Sequence, residues 1–278
     1  MRIAVTGSSG RVGQAVVTAA LEAGHDLVLL DRRPVEGGAA GEFREVDLTQ
    51  YAAVCEALAG CEVLVHLGGI PGPDQTDDVQ VHDNNVLASY HALAGAVANR
   101  IPRVVQASSI NAVGATWSRA PHFDHFPVDV GHPTRNEDGY SLSKWVAEQQ
   151  ADSLTRRHAD LSVASLRFHS FVPDRETARR GAREQGEAWA ARGLWGYTTA
   201  AMLTSACLAA CRTDFTGHER LQVVAADTSV EEPSEVLRQR WYPDVPVRRP
   251  FVGREGFWDC SRTVELLGWH PEPQEEKA

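Results

Sequence analysis

Tyr140 and Lys144 stand four residues apart in the stretch GYSLSKWVAEQQ, which has the composition of a helix. Positions i and i+4 lie on one helix face, so the phenol and the ammonium project in the same direction. A phenol with a pKa of about 10 is a poor base at neutral pH, but a neighbouring positive charge favours the phenolate. The pair therefore predicts a proton-transfer site, although the same spacing also occurs on ordinary helices.

A second group of hydroxyls follows the apolar run RVVQA, which we predict to be a strand. Ser108 and Ser109 come directly after this run. A hydroxyl donor is needed to orient a substrate oxygen beside the phenolate. Parallel strands present their carboxyl ends at one edge of a sheet, where ligands bind. We therefore expect a serine of this pair and Tyr140 to meet at that edge.

The elements that position these residues alternate between short apolar runs and longer amphipathic stretches. We predict strands over 2–6, 26–30, 43–46, 62–67, 103–107 and 161–168, and helices over 12–23, 51–58, 86–99 and 140–157. This alternation predicts an α/β fold of the Rossmann type, a doubly wound parallel sheet with helices on both faces. Residues 1–170 would form the dinucleotide-binding part with the catalytic residues. We expect 171–278 to form a small substrate-binding lid packed on it, with helices over 176–192, 197–211 and 232–240 and a strand over 221–224.

The stretch TGSSGRVG lies between the first predicted strand and the first predicted helix. Gly7, Gly10 and Gly13 permit a tight turn in which the backbone approaches a pyrophosphate, and the helix N-terminus favours its negative charge. Asp31 ends the second strand, where a carboxylate accepts hydrogen bonds from ribose hydroxyls and repels a 2′-phosphate. Arg32 and Arg33 follow and would instead suit a 2′-phosphate. We predict NAD as the cofactor, with NADP less favoured.

The sequence resembles the extended short-chain dehydrogenase/reductase superfamily, in its NAD-dependent epimerase/dehydratase group, over most of its length. The motifs that carry the resemblance are TGSSGRVG at 6–13, Asp31, DL at 47–48, VHLGG at 65–69, NNV at 84–86, SSINAVG at 108–114, YSLSK at 140–144, LRFHSFVP at 166–173 and LLGWHPE at 266–272. The resemblance implies that Ser109 orients the substrate, that Tyr140 transfers the proton, and that Lys144 activates Tyr140 and contacts the cofactor ribose.

Further site residues follow from the loop, from position and from the resemblance. The cofactor set is Gly7, Ser9, Gly10, Arg11, Val12, Gly13, Asp31, Arg32, Asp47, Leu48, Leu67, Gly68, Gly69, Asn85, Tyr140, Lys144 and Phe168, and the substrate set is Ser108, Asn111, Ser170 and Arg192. Asp47 would reach the adenine amine or cap the helix that follows it. Asn85 would brace the active-site strand or cap its own helix.

Among compact members, the chain looks most like uronate and related aldose dehydrogenases, which oxidise a cyclic sugar at C1 with NAD. It departs from uronate dehydrogenases at Pro71, where they have Ser, and at Ile110, which separates the serine pair from Asn111. We expect a sugar dehydrogenase acting on a free aldose or uronic acid. A nucleotide-sugar 4-epimerase and a non-catalytic dinucleotide sensor are the alternatives. The stretch RGLWGY at 192–197 would bind a sugar through a cationic side chain and a stacking aromatic face. Alternatively, it would form an aromatic core that closes the lid.

Composition restricts the partners. A net charge of −10 argues against a nucleic-acid partner, which would need a basic footprint. No apolar stretch is long enough to predict a membrane span, and the five cysteines fit a reducing cytoplasm. We predict no metal site, neither at Cys207 and Cys211 nor at the three histidines of the insertion, His122, His125 and His132, which would line the pocket, contact a second subunit or form a plain loop. The helix after Tyr140 suggests a homodimer, because in this superfamily that helix often forms the dimer interface.

Overall fold

The protein is described here by a computed structural model that covers residues 1–35, 38 and 40–271. Glu272, the last residue of the LLGWHPE motif, lies outside the described residues. The strands are Arg2–Thr6 (β1), Asp26–Asp31 (β2), Glu42–Glu45 (β3), Val63–His66 (β4), Arg103–Ser109 (β5), Ser162–Phe168 (β6), Phe171–Val172 (β7), Thr198–Thr199 (β8) and Gly217–Val223 (β9). The helices are Arg11–Glu22 (α1), Tyr51–Ala57 (α2), Asp78–Ala98 (α3), Gly139–Arg157 (α4), Arg175–Gln185 (α5), Glu187–Arg192 (α6), Ala200–Arg212 (α7), Ser234–Trp241 (α8) and Ser261–Leu267 (α9).

A parallel seven-stranded sheet organises the chain, in the order β3-β2-β1-β4-β5-β6-β9. The chain winds in opposite directions from β1 and β4, which leaves a crevice beyond their carboxyl ends. This confirms the predicted Rossmann-type α/β fold. Neighbouring residues of one strand enter different cores, because their side chains point to opposite faces: Val5 packs into one hydrophobic cluster and Ala4 into the other.

The C-terminal part of the chain contributes to this sheet as well as covering it. β9 pairs with β6 along its whole length, from Ser162–Gly217 to Phe168–Val223, and α7 packs against α1. The predicted short strand over 221–224 is therefore the end of a longer strand of the central sheet. The division of the chain at residue 170 remains a prediction.

Two predicted helices differ most from the observed elements. α3 begins at Asp78, not at Val86, because the Asp77 side chain accepts a hydrogen bond from the backbone N–H of Gln80 and caps the helix. The predicted helix over 176–192 is two helices, since Gly186 has a φ of 90° and breaks the run. The sequence reasoning missed α9, a helix of only two turns.

The insertion between Ser109 and Tyr140 packs against the C-terminal region. Phe126 and Val128 form isolated bridges with Val247 and Trp258, and the ring of Phe126 packs edge-on against Phe257 at 5.1 Å. The segment is therefore a loop that packs into an aromatic core. Among the described residues, no group of His, Cys, Asp or Glu is arranged to hold a metal ion. Within the same residues, no helix combines the length and the apolar character that crossing a membrane requires.

Candidate active site

The first turn of α4 and the end of β5 bring Tyr140 and Ser109 together. Asp138 caps α4 by accepting a hydrogen bond from the backbone N–H of Ser141 at 2.8 Å, which fixes where the helix begins. Tyr140 is only 8 % exposed. Burial raises the pKa of Tyr140, and a hydrogen bond with Ser109 opposes that rise. The free protein therefore holds a neutral phenol in contact with a serine hydroxyl.

Lys144 lies one turn further along the same helix face. Its ammonium is 5.7 Å from the centre of the Tyr140 ring and donates a hydrogen bond to the carbonyl of Ala107 at 3.1 Å. Burial lowers the pKa of Lys144 to about 8, and the carboxylate of Glu148 opposes that effect. The helix α4 is thereby tied to the last residues of β5.

The turn after β5 is fixed by hydrogen bonds around Asn111. The hydroxyl oxygen of Ser109 accepts a hydrogen bond from the backbone N–H of Asn111 at 3.1 Å, and the Asn111 side-chain oxygen accepts one from the backbone N–H of Thr116 at 2.8 Å. The Ser109 hydroxyl oxygen is thus held at the rim of the sheet. Its hydrogen stays available for the phenol or for a substrate oxygen.

Ser108, which the resemblance suggested as a substrate contact, has a different hydrogen-bond partner. Its hydroxyl donates to the fully buried carboxylate of Glu148 at 2.6 Å. Glu148 also forms a buried ion pair with Arg167 at 2.7 Å and a second pair with Arg220 at 3.1 Å. Ser108 borders the cavity described below, but its hydroxyl is directed at this network. We did not predict Glu148 from the sequence, where its spacing of four residues from Lys144 is the one feature that indicates it.

The glycine loop has the close backbone approach that its spacing predicted. Gly7 has a φ of 67°, and a Cβ atom on Gly13 would lie 2.0 Å from the carbonyl oxygen of Gly7. Gly10 caps α1 and has no side chain to occupy the first N–H groups of the helix. The turn therefore leaves those N–H groups facing the cavity, an arrangement that fits the pyrophosphate of a dinucleotide.

Asp31 and Asp47 lie at the far end of the same cavity. The Asp31 carboxylate accepts hydrogen bonds from the backbone N–H groups of Ser9 at 3.0 Å and Arg32 at 2.7 Å, which tie the end of β2 to the glycine loop. Asp47 accepts from the backbone and the hydroxyl of Thr49, while Gln50 is the residue that caps α2. The capping alternative for Asp47 is therefore wrong, and its carboxylate borders the cavity.

One cavity of about 1000 Å³ runs along the carboxyl edge of the sheet from Asp31 to the region around Tyr140. The predicted cofactor residues line it, except Asn85 and Lys144. Asn85 lies within α3, so it does not cap the helix. Its side chain forms two hydrogen bonds with the backbone of Ile70, at 2.7 and 3.0 Å, and donates to the hydroxyl of Ser143 at 3.2 Å. It thus braces the loop after β4 against the catalytic helix.

Among the predicted substrate residues, Ser108, Asn111 and Ser170 line the cavity and Arg192 does not. The Arg192 guanidinium donates to the carbonyl of Ser118 at 3.2 Å and lies 6.0 Å from the centre of the Trp189 ring. In the RGLWGY stretch, Trp195 and Tyr197 are fully buried, as a lid-closing aromatic core requires.

The cavity lining also contains residues that the sequence reasoning missed. These include Thr116, Trp117, Gln185 and Trp189. His169 also lines the cavity, between Phe168 and Ser170, which we predicted as cofactor and substrate contacts. Trp117 and Trp189 are 72 residues apart, and no local pattern indicated that they meet.

Comparison with known proteins gives a family. A family model described as "NAD dependent epimerase/dehydratase family" matches residues 3–192. The L-arabinose 1-dehydrogenase (NAD(P)(+)) of Haloferax volcanii is 31% identical over 200 residues, which cover 70% of this chain and 76% of that protein. The uronate dehydrogenase of Agrobacterium fabrum is 31% identical over 177 residues, 62% of each chain.

Solved structures agree on the fold. The uronate dehydrogenase from Agrobacterium tumefaciens superposes with a TM-score of 0.72 at 22% identity, covering 98% of this chain and 85% of that one. MoeE5 in complex with UDP-glucose and NAD gives a TM-score of 0.72 at 21% identity, covering 98% and 93%. At such identities the likeness concerns the fold. With the family match and the site geometry, it follows that the chain belongs to the NAD dependent epimerase/dehydratase family and is an NAD(P)-dependent enzyme of the short-chain dehydrogenase/reductase type.

Proposed function

We propose that the protein is an NAD-dependent dehydrogenase that oxidises a sugar hydroxyl, at C1 of a free aldose or uronic acid. The observation that carries the proposal is that Ser109 and Tyr140 line the same cavity as the glycine loop, while Lys144, outside the lining, ties the Tyr140 helix to β5. The activities named for the L-arabinose and uronate relatives support a sugar as the substrate.

The chain's own residues account for binding and proton transfer. The first N–H groups of α1 would hold the pyrophosphate, and Lys144 the ribose beside the nicotinamide. When bound, oxidised NAD supplies the hydride acceptor and a positive charge that favours the Tyr140 phenolate. Ser109 orients the sugar hydroxyl and Tyr140 accepts its proton, while the C1–H bond breaks with its electron pair, so that a cyclic sugar becomes a lactone.

The preference for NAD is attributed to Asp31. Its carboxylate borders the cavity at the end of β2, where the ribose of the adenosine is expected, and it would repel a 2′-phosphate. Arg32 and Arg33 border the same end and would favour NADP if they outweighed Asp31. Steady-state kinetics with NAD and with NADP at equal concentration measure which cofactor the enzyme prefers.

Replacing Tyr140 by Phe tests the mechanism. Because the variant lacks the proton acceptor, we expect kcat to fall by about 10²–10⁴-fold, while NAD binding, measured by calorimetry, changes little. Tyr51→Phe, at an exposed tyrosine of α2, is the matched control and should keep full activity. Undiminished reduction of NAD by Tyr140→Phe would refute the assignment. Interconversion of UDP-sugars without net NADH would identify an epimerase, and tight NAD binding without turnover on any sugar would identify a sensor.

We propose that the enzyme is cytoplasmic. The five cysteines are all unpaired thiols, as a reducing cytoplasm would keep them.

We also propose that the enzyme is a homodimer. A homodimer would cover the apolar side chains that α3 and α4 expose, namely Leu87 at 44%, Tyr90 at 46% and Leu142 at 38%. Light scattering on the purified protein measures the mass directly, and Leu87→Glu should shift a dimer toward the monomer. We also propose that residues 171–278 supply the substrate lid.

A further inference from the structure

The two ends of the cavity differ in charge. The end beyond the glycine loop is lined by Asp31, Arg32, Arg33 and Asp47. The other end, beside Ser109 and Tyr140, is lined by hydroxyl, amide and aromatic side chains, among them Thr116, Trp117, Gln185 and Trp189. These residues carry no formal charge. A uronic acid would need a cationic group at this end to bind its carboxylate.

His169 is the histidine at this end, and the structure holds it neutral. Its Nε2 donates to the carbonyl of Gly193 at 2.8 Å, and its Nδ1 accepts from the backbone N–H of Ser170 at 2.6 Å. Both ring nitrogens are thus used as a neutral imidazole uses them, one as donor and one as acceptor. Burial also lowers the pKa of His169 to about 4. At neutral pH it offers a substrate no positive charge.

The nearby arginines serve other partners. Arg192 donates to the carbonyl of Ser118 and lies against the ring of Trp189, outside the cavity lining. Arg11 does line the cavity, but it opens α1, where the pyrophosphate is expected, and its guanidinium donates to the carbonyl of Phe171 at 3.2 Å. Lys144 lies behind Tyr140, where its ammonium donates to the carbonyl of Ala107, and it does not line the cavity. Among the described residues, Arg11 is therefore the one cation of the lining that is not at the Asp31 end.

Two tryptophans supply the apolar surface at this end. The rings of Trp117 and Trp189 pack edge to face, with centres 5.0 Å apart and an angle of 70° between their planes, and both side chains are half-buried. Trp117 follows Thr116, whose backbone N–H is bound by Asn111, two residues from Ser109. Aromatic faces of this kind accommodate the C–H groups of a sugar ring, while a few polar groups bind its hydroxyls.

We propose, on the basis of the function proposed above, that the substrate is an uncharged monosaccharide and that Trp117 and Trp189 determine this specificity. A neutral aldose finds aromatic faces and hydroxyl and amide partners there. A sugar carboxylate would lose water and find no cation there except Arg11, whose guanidinium already donates to the carbonyl of Phe171, and this exchange is unfavourable. The site thus discriminates by polarity and not by a charged clamp.

The test compares each aldose with the uronic acid of the same stereochemistry. Galactose and galacturonic acid, and glucose and glucuronic acid, are supplied with NAD at pH 7, together with the pentoses arabinose and xylose, and NADH is followed by absorbance. We expect at least one aldose to be oxidised with a kcat/KM about tenfold or more above that of any uronic acid, since a lost charge-assisted hydrogen bond is worth at least that factor. An equal or higher kcat/KM for a uronic acid overturns this inference and leaves the dehydrogenase function standing. No NADH from any sugar refutes both.

Variants at Trp189 test whether the tryptophan pair determines the substrate specificity. Trp189→Ala should raise KM for the preferred aldose about tenfold, with kcat and the KM for NAD within about twofold, because the ring borders the expected sugar position and not the cofactor end of the cavity. Trp189→Phe keeps an aromatic face and should restore most of the affinity; it also serves as the control for folding, with melting temperatures measured for all variants. An unchanged KM in a folded Trp189→Ala, or a parallel loss of NAD affinity, would overturn the role of the pair.

Discussion

Replacing Glu148 by Gln tests the network behind the catalytic helix. The Glu148 carboxylate is fully buried, and it accepts hydrogen bonds from Ser108 at 2.6 Å, from Arg167 at 2.7 and 2.8 Å, and from Arg220 at 3.1 Å. Burial by itself would raise the pKa of Glu148, but the two guanidinium groups and the serine outweigh it and hold the pKa below its ordinary value. The carboxylate is therefore ionised and fully bonded.

The glutamine variant keeps the shape and removes the charge. It leaves the guanidinium of Arg167, which is 4% exposed, without a buried counter-ion. Breaking a buried ion pair in this way costs about 3–5 kcal/mol. Since a domain is stabilised by roughly 5–15 kcal/mol in total, the loss is large enough to measure by equilibrium urea unfolding. Glu56→Gln, at an exposed position of α2, is the control and should stay within about 0.5 kcal/mol of the parent.

A double variant separates charge from packing. In Glu148→Met/Arg167→Met both members of the pair become apolar groups of similar size, while Arg220 retains its ion pair with Asp152. We expect this variant to lose less stability than Glu148→Gln, because no buried charge is left alone. A loss below about 1 kcal/mol for Glu148→Gln, or a larger loss for the double variant, would refute the reasoning.

Two further predictions concern the loop and the strand beside it. Gly13→Ala should weaken NAD binding at least about tenfold in calorimetry, because its Cβ would lie 2.0 Å from the carbonyl oxygen of Gly7, whereas Gly181→Ala, with open space around it, should leave binding unchanged. Burial lowers the pKa of His66 to about 3, so between pH 6.5 and 4 the unfolded chain takes up a proton that the native state does not. The neutral His66 therefore stabilises the native state fully above about pH 6.5. Below that pH the free energy of unfolding falls by about 1.4 kcal/mol per pH unit. His66→Gln should remove that slope from urea unfolding measured at successive pH values, and an unchanged slope would contradict the assignment.

Much of this protein follows from short-range sequence patterns. The alternation of apolar runs and amphipathic stretches predicted six strands of the sheet and the helices between them, because strand and helix periods are local properties. The glycine spacing predicted the turn at Gly7 and Gly13, where a side chain would meet the backbone. Tyr140 and Ser109 could be brought to one edge by a general rule of parallel sheets. Their order along the chain was therefore enough to place them.

Other features depend on contacts between distant residues. Asn85 could have been a helix cap until the structure placed the start of α3 at Asp78 and its amide against Ile70. Ser108 and Ser109 point to opposite faces of β5, but that Ser108 meets a buried carboxylate depends on Glu148, which lies on another element. The periodicity of the sequence does not predict such contacts between distant residues, because they depend on how helices and loops pack.

The same holds for the residues that would choose the substrate. Trp117 and Trp189 come from an insertion and from a helix of the C-terminal part, and they form one surface only in the folded chain. We predicted Arg192 as a substrate contact, yet its guanidinium binds Ser118 and lies outside the cavity lining. The sequence by itself determined the fold and the glycine loop and predicted the proton-transfer pair, because these rest on local spacing and on the direction of strands. Only the tertiary structure decided which side chains surround the substrate, because each of them is positioned by partners far away in the chain.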